Sequence, residues 1–150
     1  MPLSAEDRQR CLGVLAKADP RDLRRCWEAV GLAPPFRHLR APATGLVMVR
    51  GRIGGTGAPF NLGEMTVTRC SVRLESGAVG HGYAGGTDAR HVEIVALCDA
   101  LLQDDDHRAA IERQVVAPLI QARDAARQRI AARAAATKVE FFTVAREAGA

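Results

Sequence analysis

The chain has 150 residues, of which 47% are hydrophobic, 25% charged and 4% aromatic, and its net charge is +4. The length is typical of one domain with a modest core. The high apolar fraction and low net charge exclude disorder over most of the chain, and no apolar run approaches the ~20 residues of a membrane span. Glu6, Asp7 and Arg8 stand where a secretory signal would be apolar. We therefore expect a cytoplasmic protein without membrane contact.

Four cysteines lie far apart and form no C-x-x-C pair: Cys11, Cys26, Cys70 and Cys98. Each stands in an apolar stretch, so we predict small buried side chains with free thiols and no zinc site. The basic residues are almost all arginine, which suits phosphate or carboxylate recognition. An arginine-rich genome would give the same pattern, so the charge alone only weakly indicates an anionic partner.

Residues 1–31 are predicted to form a helical hairpin. Ser4 is followed three residues later by an acid, as in a capping box that begins a helix. Asp19 and Pro20 then provide the N-cap and first residue of a second helix, and Gly31 is a plausible C-terminal stop. The Ala-Pro-Pro sequence that follows cannot be helical, so it predicts a linker.

Residues 36–84 are predicted to form an antiparallel β block. The candidate strands are a short edge strand over 37–40 and longer strands over 46–53, 64–74 and 78–84. The glycine-rich residues 54–63 are expected to be a loop between two strands. The apolar residues of the third strand change face along it, which suggests a bulge near Arg69.

Residues 88–136 are predicted to be helical. Asp88 or Thr87 caps the first helix, and the run of acids at 104–106 begins the next one. Pro118 either kinks that helix or begins another. Residues 121–136 are mostly Ala and Arg, which favours a helix with few core contacts.

Residues 138–150 are predicted to form a tail, extended in its first part. Because helices precede and follow one run of antiparallel strands, the sequence indicates a single α+β domain. Its antiparallel sheet would have about three to four strands, flanked by N-terminal and C-terminal helices.

Three short motifs resemble catalytic or nucleotide-binding signatures, and each lacks a required part. Residues 80–85 match G-x-G-x-x-G, but they lie late in an antiparallel strand rather than opening a helix. The loop 54–63 has no lysine for a Walker A site. His91 and Glu93 match the H-x-E of zinc deaminases, but the chain has no P-C-x-x-C. These patterns therefore favour small, closely packed strand residues, a flexible loop and a structural histidine.

A set of polar residues could converge at one end of the sheet: Glu64, Arg69, His81, Tyr83, Asp88, Arg90, His91 and Glu93. Such a cluster would bind a phosphate-bearing ligand through arginine and imidazole donors. It would serve equally as a polar seam against another protein. No residue is assigned to catalysis or to a metal, because no nucleophile and base can be placed in a defined geometry.

Residues 44–103 strongly resemble the G subunit of the bacterial carbon–phosphorus lyase core complex, the PhnG family. The resemblance rests on two long blocks, TGLVMVRGRIGGTGAPFNLGEMTVTRCSVRL and GHGYAGGTDARHVEIVALCDALLQ. Shorter matches at 12–16, 117–119 and 139–146 extend it over nearly the whole chain.

The resemblance implies a subunit rather than a self-sufficient enzyme. The G subunit of this family assembles with the H, I and J subunits, and acts with the I, H and L proteins when a phosphonate displaces adenine from ATP. The product is α-D-ribose 1-methylphosphonate 5-triphosphate. The I subunit is credited with this chemistry and the iron–sulfur J subunit with carbon–phosphorus cleavage. We therefore expect an accessory role without a cofactor on this chain, in a complex that uses ATP and magnesium.

The residue pattern also suggests obligate association. The Ala/Arg helix, the glycine loop and the tail offer more surface than a small core can cover, and Phe141 and Phe142 are candidate anchors in a partner's pocket. Two alternatives remain at this point. One is a self-sufficient small-molecule enzyme or anion-binding module that uses Glu64, His81, His91 and Glu93. The other is a nucleic-acid-binding module, for which the aromatic residues supply no stacking platform, so we expect no nucleic acid partner.

Overall fold

The structure is a computed structural model and describes residues 3–138, which form five α-helices and a three-stranded antiparallel sheet. In chain order the elements are α1 (Ala5–Ala16), α2 (Pro20–Val30), β1 (Phe36–Arg52), β2 (Pro59–Leu74), β3 (Val79–Gly85), α3 (Ala89–Leu102), α4 (Asp105–Ile111) and α5 (Ala117–Ala136). A 3-10 turn, Ile53–Gly55, follows β1, and a π-helical turn, Glu112–Val116, joins α4 to α5. This arrangement confirms the predicted α+β class.

The helix starts follow the capping signals in the sequence. The side chains of Ser4, Asp19, Asp88 and Asp104 each accept a hydrogen bond from a backbone N–H in the first turn of α1, α2, α3 and α4. Gly31 ends α2 with a φ of 67°, a left-handed conformation that glycine adopts without strain. α5 begins without a side-chain cap, because it continues from the π-helical turn with Pro118 in its first turn.

β1 is longer than predicted, because the two strands expected at 37–40 and 46–53 are one continuous strand. Its pairing with β2 shifts register between His38 and Arg40 and again between Arg40 and Ala43. These bulges accommodate Pro42 and the irregular alternation of polar and apolar residues around it. β2 in turn begins at Pro59, so the loop predicted over 54–63 is confined to the residues between the two strands.

The bulge expected near Arg69 in β2 is wrong. β2 pairs with β3 without a shift from Val67 to Arg73. The irregularity lies opposite, in β1, and a second one in β2 leaves Leu62 between the paired residues Asn61 and Gly63. Met65 is exposed, whereas Val67 on the same face is buried, and so is its neighbour Thr68. Both faces of β2 are therefore covered near Val67, and the apolar residues change face without a bulge.

α3 is the centre of the core. Eleven of its fourteen residues are buried, because the helix packs on β2 and β3 on one side and on α1, α2 and α4 on others. Leu97 and Leu101 are almost fully enclosed. α5 buries only Leu119, which agrees with the predicted Ala/Arg helix of few core contacts.

The glycines of β3 allow α3 to lie directly on the strand. A Cβ added at Gly80 would stand 1.9 Å from the carbonyl oxygen of Ala96, and one added at Gly82 would stand 2.1 Å from that of Val92. Both distances are far inside van der Waals contact, so a side chain at either position would push the helix away. The G-x-G sequence therefore serves helix packing, and it does not open a helix as a dinucleotide site would.

We predict that Gly80→Ala and Gly82→Ala each lower the free energy of unfolding by about 1–3 kcal/mol or more, because backbone atoms of α3 must move. Gly85→Ala is the matched control, since it lies in the same strand and its added Cβ would have no atom within 4 Å. Urea unfolding followed by circular dichroism measures the difference. Equal stability of all three variants would contradict the close packing.

Candidate functional site

The structure places Asp88 and His91 in contacts that hold α3 to the N-terminal helices. The Asp88 carboxylate caps α3 and also accepts a hydrogen bond from Arg24 Nη1 of α2 at 3.0 Å. His91 is buried, and its Nε2 donates to the carbonyl oxygen of Leu15 at 3.1 Å. Both side chains are therefore used to position helices.

Glu93 lies elsewhere on α3 and connects it to the sheet. Its carboxylate is bonded to His38 Nε2 of β1 at 3.0 Å and forms an ion pair with Arg90. His81 lies in β3, where its Nδ1 and the Ser71 hydroxyl are 3.0 Å apart. The residues predicted as one cluster are thus used in separate contacts.

The remaining candidates lie on the strands of the sheet. Arg69 and Tyr83 are paired across β2 and β3 and are exposed. Glu64 is exposed in the first half of β2, opposite Met48. Of the polar set, the structure brings Tyr83, Asp88 and His91 to the lining of one cavity and leaves the other members outside it. The contact roles of all its members stay predictions. Phe141 and Phe142, with the rest of the predicted tail beyond residue 138, lie outside the described residues.

Sequence reasoning missed the ion pair between Arg8, whose side chain is 33% exposed, and the buried Asp99. Arg8 Nε and Nη2 donate to the two carboxylate oxygens of Asp99, each at 2.8 Å, and Asp99 also accepts from the backbone N–H of His81 at 2.8 Å. The Asp99 side chain is fully buried, so it ties α1, α3 and β3 together. Its position on the buried face of a helix was a signal, but its partner 91 residues away could not be read from spacing.

The shifts in pKa have simple causes. The backbone N–H of His91 lowers the pKa of Asp88, and Arg24 adds to that effect. Burial lowers the pKa of His91, so its neutral form is favoured. Burial raises the pKa of the Cys98 thiol and, to a smaller extent, those of Cys11, Cys26 and Cys70. These four thiols are buried and free, as predicted, and are protonated at neutral pH.

Concave sites on the chain are shallow. A cavity of about 650 Å³ lies where the end of α1 and the start of α2 approach β3. Tyr83, Asp88 and His91 line it. Asp88 is bonded to Arg24 and His91 Nε2 to the Leu15 carbonyl oxygen, whereas His91 Nδ1 is buried without a hydrogen-bond partner among the described residues. Within residues 3–138 no group of three or more His, Cys, Asp or Glu could hold a metal ion, and no helix is long and apolar enough to cross a membrane. The geometry gives no support to a reaction at this cavity.

The most unusual surface is the distal half of the β1–β2 hairpin, residues 43–67, which we call the arm. Its side chains from 43 to 66 are all exposed or half-buried, and none belongs to the hydrophobic core. The large apolar residues exposed on it are Leu46, Met48, Ile53, Phe60, Leu62 and Met65. Leu46 and Leu62 are 63% and 66% exposed, which is costly for a chain that remains alone in water.

Within residues 3–138, most of the polar side chains near α3 are engaged in folding contacts, and apolar side chains are exposed on the arm, a surface that is typical of proteins that associate with others. The chain matches the family described as "Phosphonate metabolism protein PhnG" over residues 6–147, so it belongs to the PhnG family.

A curated relative supports the same assignment. The chain is 47% identical over 142 residues to the "Alpha-D-ribose 1-methylphosphonate 5-triphosphate synthase subunit PhnG" of Rhizobium meliloti (strain 1021). The match covers 93% of this chain and 88% of the relative. The resemblance predicted from the sequence is therefore confirmed.

We predict that Arg8→Leu lowers the free energy of unfolding by about 3 kcal/mol, because it leaves the Asp99 carboxylate buried without its cation. Arg10→Leu is the control. Arg10 lies in the same helix and pairs with Asp7 on the surface, where such a pair contributes less than about 1 kcal/mol. Chemical unfolding of both variants measures the difference. A loss no larger than that of the control would show that the buried pair is not needed for stability.

Burial of His91 also predicts a pH dependence. Its folded-state pKa is lowered, so the unfolded chain binds more protons as the pH falls through the ordinary value of 6.5. Stability should therefore decrease between about pH 7.5 and about pH 5.5. His91→Gln, which keeps a donor for the Leu15 carbonyl, should show a smaller decrease in its urea midpoint. The same decrease in both proteins would contradict this assignment.

Proposed function

We propose that this chain is a subunit of an α-D-ribose 1-methylphosphonate 5-triphosphate synthase and acts in phosphonate catabolism. The observation that carries the proposal is the 47% identity to a relative with that name over nearly the full length of both chains. In this proposal the complex joins methylphosphonate to the ribose of ATP and releases adenine.

The chain's own role in the proposal is structural. Asp88, His91, Glu93 and Asp99, its best-placed polar side chains, hold helices and strands together. Most of their polar atoms are committed to these contacts, and His91 Nδ1, which is buried without a hydrogen-bond partner in the described part of the chain, is an exception. The dispersal of the polar set also argues against a self-sufficient enzyme. We infer that the reacting groups belong to other subunits, and that ATP and magnesium are held there.

The proposed partners are the H, I and J subunits of the carbon–phosphorus lyase core, with the L protein acting in the same reaction. The exposed apolar arm supports such association, because a stable complex buries surface of this kind. Assembly would take place in the cytoplasm, where ATP is available. The isolated chain is expected to self-associate or to be marginally stable.

Reconstitution tests the proposal. We expect the chain, co-expressed with the H, I and L proteins, to co-purify in a fixed ratio and to be required for adenine release from ATP and methylphosphonate. Preparations without the chain should be inactive, and the chain alone should not turn over. His81→Ala in the complex should change the rate by less than about twofold, because the role is not catalytic. Turnover by the isolated chain, lost in His81→Ala, would contradict the proposal.

A further inference from the structure

The two edges of the sheet differ in how their backbone groups are protected. At the β3 edge, the buried Asp99 accepts the backbone N–H of His81 at 2.8 Å, and Gln103 Nε2 donates to the carbonyl oxygen of Val79 at 2.8 Å. Asp99 lies in α3 and Gln103 directly follows it, so these two backbone groups of β3 are not available to a further strand. Side chains that cover an edge in this way prevent edge-to-edge association.

Among the described residues 3–138, no side chain covers the β1 edge in this way over residues 43–49. The backbone N–H of Gly86 donates to the carbonyl oxygen of Thr66, so even-numbered residues of β2 direct their backbone groups toward β3 and odd-numbered ones toward β1. Gly45 and Val47 pair with odd-numbered residues of β2 and therefore bond to that strand. Their neighbours in β1 direct N–H and C=O away from the sheet: Thr44, Leu46 and Met48.

This open segment also lacks the usual protection against strand addition. Residues 43–49 read ATGLVMV, without proline or charge. They pair with β2 in unbroken register, so the edge is regular. Edge strands of proteins that remain alone are normally interrupted by charges, prolines or bulges. Here the bulges and Pro42 lie just before the segment, and the segment itself is left able to pair.

Charge indicates what kind of strand would pair there. β1 contains four arginines and β2 two, against the single acid Glu64. The remainder of the chain has fifteen basic and sixteen acidic residues, so the two strands account for the whole positive charge. A second copy would bring two positive strands together, which is unfavourable, whereas an acidic partner would be attracted.

We propose that the β1 edge over residues 43–49 receives a strand from an acidic protein partner, with the apolar side chains of the arm packing against that partner on both faces. Leu46 and Met48 lie on one face, and the cross-strand pair Val47 and Met65 lies on the other. Backbone pairing of this kind supplies affinity, and the flanking side chains supply specificity. The proposal rests on the proposed function, since it takes the partner to be another subunit of the synthase.

A charge reversal tests the partner's character. We expect Leu46→Glu to weaken association with the co-expressed synthase subunits at least tenfold more than Leu46→Arg, because only the acid is repelled. Ile130→Glu is the matched control, since Ile130 on α5 is 67% exposed and Leu46 is 63% exposed. It should assemble as the unchanged chain does. Equal effects of Glu and Arg at position 46 would contradict the proposal that the partner is acidic.

A proline tests the strand pairing. Leu46→Pro removes an N–H that points away from β2, so the hairpin keeps its own ladder. We expect it to weaken assembly about tenfold more than Leu46→Ala, with an unchanged circular dichroism spectrum. Should the proline disturb the hairpin, the charge-reversal pair still decides the proposal. Assembly of the proline variant at the level of the alanine variant would overturn strand addition.

The outcomes also separate this inference from the proposed function. If the unchanged chain assembles with the synthase subunits and the arm variants assemble equally well, strand pairing at the arm is wrong and the proposed function still holds. Failure of the unchanged chain to assemble would overturn both. A homodimer or a complex with duplex DNA that is lost in Leu46→Glu would contradict the acidic protein partner.

Discussion

The close approach of α3 to β3 is the constraint on which the rest of the structure depends. Gly80 and Gly82 leave no side chain between strand and helix, so α3 lies directly on the backbone of β3. In that position α3 is enclosed by the sheet and the other helices, and its Asp99 reaches Arg8 of α1. A single helix thereby organises a small core, and the same contact closes one edge of the sheet.

The central position of α3 also determines which parts of the chain are left free to bind other molecules. Because the core is gathered around α3, residues 43–66 of the long hairpin extend beyond it with no buried side chain. The polar residues near α3 are meanwhile occupied in holding the helices, as Asp88 and His91 illustrate. Chemistry at this chain would compete with folding, whereas association at the arm would not. Membership of the PhnG family agrees with a subunit of this design.

Features set by neighbouring residues could be predicted from the sequence, and features set by distant ones could not. The caps at Ser4 and Asp19 depend on local geometry, and both predictions were confirmed. The continuity of β1 was missed, because bulges hide its alternation from a period-two pattern. The dispersal of the polar set was missed for a similar reason, since the partner of Asp88 lies 64 residues away and that of Glu93 lies 55 residues away.

Pairing of the β1 edge with a partner strand can be measured by hydrogen exchange of the backbone amides, compared between the isolated chain and the assembled synthase. We expect rapid exchange at Leu46 and Met48 in the isolated chain and strong protection after assembly. The amide of His81, bonded to Asp99, should be protected in both states. Rapid exchange at Leu46 and Met48 within an intact, active complex would contradict this pairing.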